Sequence, residues 1–224
     1  MRGGVMDRYI VEEPNQVTGL GEIYLNYFGF RKEGFFVDVG AHDGRTHSTT
    51  YCLAEAGWEG ICYEPVESSF NKCMENHEYH KVKTIRTCVG NRKGIVNFTV
   101  PRADTLSTYS EYYKNSSYWK NEYYYSYDFP SPIITLDETL KENNVKPNFE
   151  VLNLDVEGSE TDVLNFFDIN YWKPQLAIVE VQELHPSIEL RNQAPFINKY
   201  FADAGYEKIY CDEINNIYVL PLTK

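Results

Sequence analysis

The sequence is poor in positive charge. Its 21 lysines and arginines stand against 33 aspartates and glutamates, a net charge of −12. A phosphate backbone is bound through clusters of Lys and Arg, and the chain shows no run of them. No nucleic acid is therefore expected as the main partner. No apolar stretch is long enough to span a bilayer, and the first residues lack an apolar signal core. The expectation is a cytoplasmic protein without a membrane partner. Cysteines are few: Cys52, Cys62, Cys73, Cys88 and Cys211, an odd number without the close pairs of a zinc or redox motif. Buried free thiols in a reducing compartment account for them. Internal repeats, low-complexity tracts and linkers are also missing. The 224 residues, 42% of them hydrophobic, suffice for one well-packed α/β domain spanning 1–224.

What is present is organised around Phe35-Phe36-Val37-Asp38-Val39-Gly40-Ala41-His42-Asp43-Gly44. An apolar run ends in a carboxylate, a glycine turn follows, and a helix can open beyond it. This reads as the start of a βαβ unit, with a small-molecule site at the carboxyl end of a buried parallel strand. The turn breaks the dinucleotide fingerprint. Counted from Gly40, the third and sixth positions are His42 and Arg45, where glycines would let the backbone approach a pyrophosphate. Asp38 and Asp43 also flank the turn, and negative charge beside a phosphate is repulsive. The same charges suit S-adenosylmethionine, which carries a sulfonium and an ammonium. An NAD-dependent oxidoreductase using the same cleft is the alternative, and a nucleoside-binding module without turnover is another.

Along the chain, Val17 to Phe28 reads as a lead-in helix within residues 1–34. Strands are expected at Phe35–Val39, Ile61–Glu64, Lys83–Val89, Phe149–Leu154 and Leu176–Val181. Helices are expected at Thr46–Ala56, Glu67–Glu75, Asp162–Phe167 and Ala194–Ala204, and Ile133-Ile134-Thr135-Leu136-Asp137 leads into another that runs through Asn143. Asn91-Arg92-Lys93-Gly94 is a hairpin signal before an alternating strand, Ile95–Val100, and Lys208–Cys211 with Asn216–Leu220 closes the chain as a strand pair. Pro101 to Pro132 is a long connection holding Tyr109, Tyr112, Tyr113, Tyr118, Trp119, Tyr123, Tyr124, Tyr125 and Tyr127. A lid over a polar organic acceptor and a short helix packing its tyrosines on the body both fit it.

Acids recur at strand ends: Asp38 with Asp43, Glu64, Asp155 with Glu157, and Glu180. Ligands of open α/β sheets sit outside those ends, so these groups are expected to converge on one cleft. Glu64 lies 24 residues after Gly40, the spacing at which an acid takes ribose hydroxyls.

Three blocks carry a resemblance: Val37-Asp38-Val39-Gly40-Ala41-His42-Asp43-Gly44; Gly57-Trp58-Glu59-Gly60 with Tyr63-Glu64-Pro65; and Leu154-Asp155-Val156-Glu157-Gly158-Ser159-Glu160. Together with Thr135-Leu136-Asp137 they resemble the signature of the FkbM family of class I S-adenosylmethionine-dependent methyltransferases, from about Phe35 to Glu183. The resemblance implies a Rossmann-like α/β fold, a seven-stranded, mostly parallel sheet with one antiparallel strand and helices on both faces. It also implies O-methylation of a hydroxyl on a sugar, glycan or small metabolite. By the same match, Asp38 and Gly40 shape the methionine end of the cofactor site; His42, Asp43, Gly44 and Asp155 are further expected cofactor contacts, although His42-Asp43 departs from the commonest family pattern. Glu64 and Pro65 serve the ribose region, Val89 and Gly90 the adenine, and Asp155 and Glu157 the methyl-transfer region.

The chemistry asks for an in-line approach of acceptor oxygen, methyl carbon and sulfur, and for removal of the hydroxyl proton. Asp155, Glu157 and His185 are the residues expected to take that proton. A divalent ion held by Asp155 and Glu180 is a secondary alternative, since no acidic spacing in the chain is diagnostic of a metal site.

Overall fold

The computed structural model describes residues 9–11 and 16–221. The expected lead-in, residues 1–34, falls outside them at 1–8 and 12–15. Its helix is α1, Leu20–Phe28, which buries Leu20, Tyr24 and Phe28.

A seven-stranded sheet carries the fold. Its strands are β1 (Phe35–Val39), β2 (Glu59–Tyr63), β3 (Val82–Ile85), β7 (Val151–Leu154), β8 (Leu176–Glu180), β9 (Glu207–Cys211) and β10 (Asn215–Val219), in the order β3-β2-β1-β7-β8-β10-β9. All neighbours from β3 to β8 pair in parallel, and β10 alone runs against its neighbours β8 and β9. This is the sheet that the sequence blocks led us to expect.

Successive side chains of a strand point to opposite faces. Val37 and Val39, Leu152 and Leu154, and Ala177 and Val179 join one core, packed against α5 (Leu136–Glu142), α6 (Glu160–Leu164), α7 (Ile169–Trp172) and α8 (Ala194–Asp203). Phe36, Val151, Leu176 and Ile178 join the other, under α1, α2 (Tyr51–Glu55) and Cys73 of α3 (Glu67–Asn76). Both faces of the sheet are buried, so its central strands are almost wholly apolar until they reach their carboxyl ends.

The structure departs from the sequence reading in three places. The first helix is expected from Thr46 but begins at Tyr51. Asp43 accepts from the backbone N–H groups of Arg45 and Thr46, and Ser48 Oγ accepts from those of Thr50 and Tyr51. These local bonds compete with a helical ladder. The expected strand Lys83–Val89 is two strands. β3 ends at Ile85, and β4 (Cys88–Gly90) enters a small second sheet, where the Thr87 hydroxyl donates to the Pro132 carbonyl at the crossing.

The third departure concerns the hairpin. β4 and β5 (Gly94–Val100) do not pair with each other, because β6 (Tyr127–Thr135) lies between them. Pro130 and Pro132 sit in the part of β6 bonded on one flank only, where a missing N–H costs little. The last residues of the tyrosine-rich connection are therefore strand.

Candidate functional site

The carboxyl ends of the parallel strands open into a cavity of about 470 Å³. Its wall starts at Gly40, whose φ of +88° is a left-handed conformation suited to glycine. A Cβ at this position would lie 1.7 Å from the carbonyl oxygen of Asp155, so the turn after β1 and the loop after β7 touch because residue 40 has no side chain. The N–H groups of Gly40 and Ala41 both donate to the Tyr63 carbonyl, at 3.0 and 3.1 Å, which docks the turn on the end of β2.

Glu64 follows β2 and is only 6% exposed. Its Oε2 accepts from the His42 N–H at 2.9 Å and its Oε1 from the Val66 N–H at 2.7 Å. Each oxygen keeps a lone pair for a further donor. Burial pushes its pKa up to about 8, against the lowering effect of those two donors and with added repulsion from Asp104 and Asp38. Pro65, Cys88, Val89, Phe98 and Leu106 supply apolar wall to the same cavity.

The third group is the acidic block. Leu154 pairs with Val179, so Asp155 and Glu180 leave neighbouring strands beside one another. Positive φ at Glu157 (51°) and Gly158 (86°) folds the loop back, and Asp155, Glu157 and Glu180 all line the cavity. Burial raises the pKa of each, and mutual repulsion raises those of Glu157 and Glu180 further. Glu160, the remaining acid of the block, turns away. Its Oε1 accepts from the N–H groups of Val156 and Gly158, and its Oε2 from Gln193 Nε2 at 3.0 Å. It shapes the loop that presents the other two. Glu160→Ala leaves those half-buried donors without their acceptor, so a loss of about 1–3 kcal/mol in urea unfolding is expected.

The structure sorts the sequence-predicted residues. Gly40, His42, Glu64, Pro65, Val89, Asp155, Glu157, Glu180 and His185 line one cavity. Asp38, Asp43, Gly44 and Gly90 are not among its lining residues. Asp38 accepts from the Thr50 hydroxyl at 2.6 Å and from Asn153 Nδ2 at 2.8 Å, fastening α2 and β7 to β1, and burial lifts its pKa to about 6. Asp43 is occupied by the backbone of its own turn. Gly44 lies against Cys73 and His77, and a Cβ on Gly90 would meet Ile133 and the Tyr109 hydroxyl at 2.6 Å. These four residues support the wall rather than form it.

Sequence reasoning missed Gln182, whose Nε2 donates to the Tyr113 hydroxyl at 3.1 Å and to Glu180 Oε1 at 2.5 Å. A left-handed φ of 53° at this position was its only mark, and the sequence does not display it. The tyrosine-rich connection divides its rings. Tyr109, Tyr113, Tyr118 and Trp119 line the cavity, whereas Tyr124 and Tyr125 face solvent. Its short helix α4 (Glu111–Asn115) is tied down through Tyr113 to Gln182, and Ser117 beyond it is tied to Glu189, so this stretch is a docked wall.

His185 is buried and stands edge-on to Tyr118. Its Nδ1 accepts from the Ser187 N–H at 3.1 Å. In the neutral ring that bond places the proton on Nε2, which is then a donor and has no lone pair for a substrate proton.

The chain matches the family model described as the methyltransferase FkbM domain over residues 38–208. No curated protein matches the sequence. Among solved structures, the METTL16 MTase domain superposes with a TM-score of 0.54 at 10% identity, covering 96% of this chain and 70% of that one. The precorrin-6y C5,15-methyltransferase of Geobacter metallireducens gives 0.47 at 7% identity, covering 96% and 94%. A SAM-dependent methyltransferase of Aquifex aeolicus gives 0.46 at 11%, covering 88% and 86%.

Proposed function

Because this chain belongs to the family of FkbM methyltransferase domains, matched over residues 38–208, we propose that it methylates a hydroxyl oxygen on a sugar, a glycan or a small polar metabolite. Methyl transfer and the S-adenosylmethionine cofactor follow from the family. The oxygen acceptor is our reading of the cavity wall. Tyr113, Tyr118 and Trp119 line the cavity beside Glu157, Glu180 and Gln182, and among the described residues no lysine or arginine does. Aromatic faces with polar acceptors suit a polyhydroxylated ligand. A phosphate backbone would meet carboxylates in the same place, which supports an acceptor other than nucleic acid.

The site fits the cofactor. Glu64 offers two oxygens to the ribose hydroxyls, and Pro65, Val89, Phe98 and Leu106 offer an apolar slot to the adenine. The Gly40 turn and Asp155 would border the methionine end, and the acidic wall favours a cationic ligand. Bound S-adenosylmethionine supplies a methyl group already activated by its sulfonium. The protein then positions the acceptor oxygen and deals with its proton. His185 is held in the donor tautomer, so the acids Asp155, Glu157 and Glu180, rather than this ring, stand beside the hydroxyl and ease the loss of its proton. The free thiols, and the lack among the described residues of a helix long and apolar enough to cross a membrane, support a cytoplasmic place of action.

Thermal shift separates this reading from an NAD-dependent one. S-adenosylhomocysteine at a hundred times its Kd should raise Tm by about 5–10 °C, with no shift from NAD. Mass spectrometry over a panel of hydroxylated acceptors then tests the acceptor. A product methylated only on nitrogen, or only on RNA, would sink the oxygen assignment.

A further inference from the structure

Asp155, Glu157 and Glu180 offer carboxylate oxygens that all lie within 4.8 Å of one another. Glu180 is 6% exposed. Gln182 satisfies its Oε1, but among the described residues its Oε2 has no hydrogen-bond partner, and neither Asp155 Oδ1 nor Glu157 Oε2 has one. Unpartnered carboxylate oxygens in a buried site are costly, and native folds normally satisfy them. Among the described residues, no lysine or arginine lines the cavity to do so.

The donor chemistry narrows the missing partner. All three donors are hard anionic oxygens, with no thiolate or imidazole among them, which favours magnesium, manganese or calcium over zinc. Oxygens bound about 2.0–2.6 Å from such an ion stand roughly 3–5 Å apart, the spacing of this group. The scaffold is also prepared. Two strand ends hold Asp155 and Glu180, while Glu160 holds the loop that returns Glu157.

We propose that Asp155, Glu157 and Glu180 bind one hard divalent cation, beside which the acceptor hydroxyl is held for methylation. The cation site stands on the geometry alone; its part in catalysis rests on the methyltransferase reading. The cation lowers the pKa of the neighbouring hydroxyl. The hydroxyl proton leaves to water, the oxygen forms its bond to the methyl carbon, and the carbon–sulfur bond breaks with its electron pair on sulfur. The products are the methyl ether, S-adenosylhomocysteine and a proton.

The test uses the full chain stripped with a chelator. MnCl2 is titrated while the paramagnetic resonance signal of free Mn2+ is followed, with and without S-adenosylhomocysteine. One Mn2+ per chain is expected, with affinity weakened by at least about tenfold in Glu180→Gln and in Glu157→Gln. Calorimetry should show that Glu180→Gln still binds S-adenosylhomocysteine within about threefold of the parent, which certifies its fold. A blank Mn2+ titration at millimolar metal, or equal Mn2+ binding in the parent and both variants, overturns the cation site. Failure of the parent to bind S-adenosylhomocysteine would instead overturn the cofactor reading, and the Mn2+ titration would still decide the cation.

Discussion

Gly40→Ala is expected to cost about 4 kcal/mol or more of stability and to remove measurable cofactor binding. The new methyl would stand 1.7 Å from the Asp155 carbonyl oxygen. That oxygen belongs to backbone and cannot swing aside as a side-chain tip would. The φ of +88° adds strain for any residue with a Cβ. Relief requires the turn after β1 and the loop after β7 to separate, and both border the cavity. For a chain of this size the stability loss corresponds to a drop in Tm of about 8–16 °C. Scanning calorimetry reads the first effect and titration with S-adenosylhomocysteine the second. A folded variant with unchanged affinity would mean that the contact between the two loops does not shape the cofactor site.

Glu64→Ala should weaken binding of S-adenosylhomocysteine by about 10²–10⁴-fold, because two hydrogen bonds from ribose hydroxyls to a charged acceptor are lost at about 1.5–3 kcal/mol each. Glu64→Gln is expected to be nearly as damaging. Both carboxylate oxygens accept from backbone N–H groups, so an amide would turn its NH2 toward one of them.

The same residue predicts a pH dependence whose sign can be worked out. Burial raises the pKa of Glu64 to about 8 and that of Asp38 to about 6 in the unliganded fold. Each folded-state value lies above the ordinary carboxylate range, so the fold holds protons that the unfolded chain releases. Their contribution to stability is complete below about pH 4 and is lost as pH rises, through about 6 for Asp38 and about 8 for Glu64. The unliganded protein should therefore melt at a lower temperature near pH 8.5 than near pH 6. Ligand binding runs the other way, since the ribose hydroxyls require the ionised form. Adenosine, which does not titrate in this range, should bind more tightly as pH rises, by up to about tenfold per unit, and level off above about pH 8. Both trends should flatten in Glu64→Gln. A flat adenosine profile in the parent would remove Glu64 from the ribose.

The order of strands and helices could be read from the chain because each element is a local pattern. Apolar runs ended by a carboxylate mark the strands β1, β7 and β8, and Gly57 and Gly205 close the helical stretches before β2 and β9. The Gly40–Glu64 spacing was legible for the same reason, since one βαβ unit has a nearly constant length. The division of one expected strand into β3 and β4 was not legible. The partner that draws β4 away, β6, lies more than 40 residues further on, at Ile133–Thr135.

The sequence by itself determined the sheet, the glycine turn, the acid 24 residues beyond it and a surplus of acids at strand ends. Only the tertiary structure decided which acids line the cavity. Asp38 lies on the Phe36 side of β1, where Thr50 and Asn153 claim both of its oxygens. Glu160 is claimed by the backbone of its own loop, while Asp155, Glu157 and Glu180 keep oxygens beside one another that have no partner among the described residues. A carboxylate looks the same in a sequence whether its hydrogen bonds are already made or still open. That difference is set by donors brought in from distant parts of the chain, so it exists only once the chain has folded.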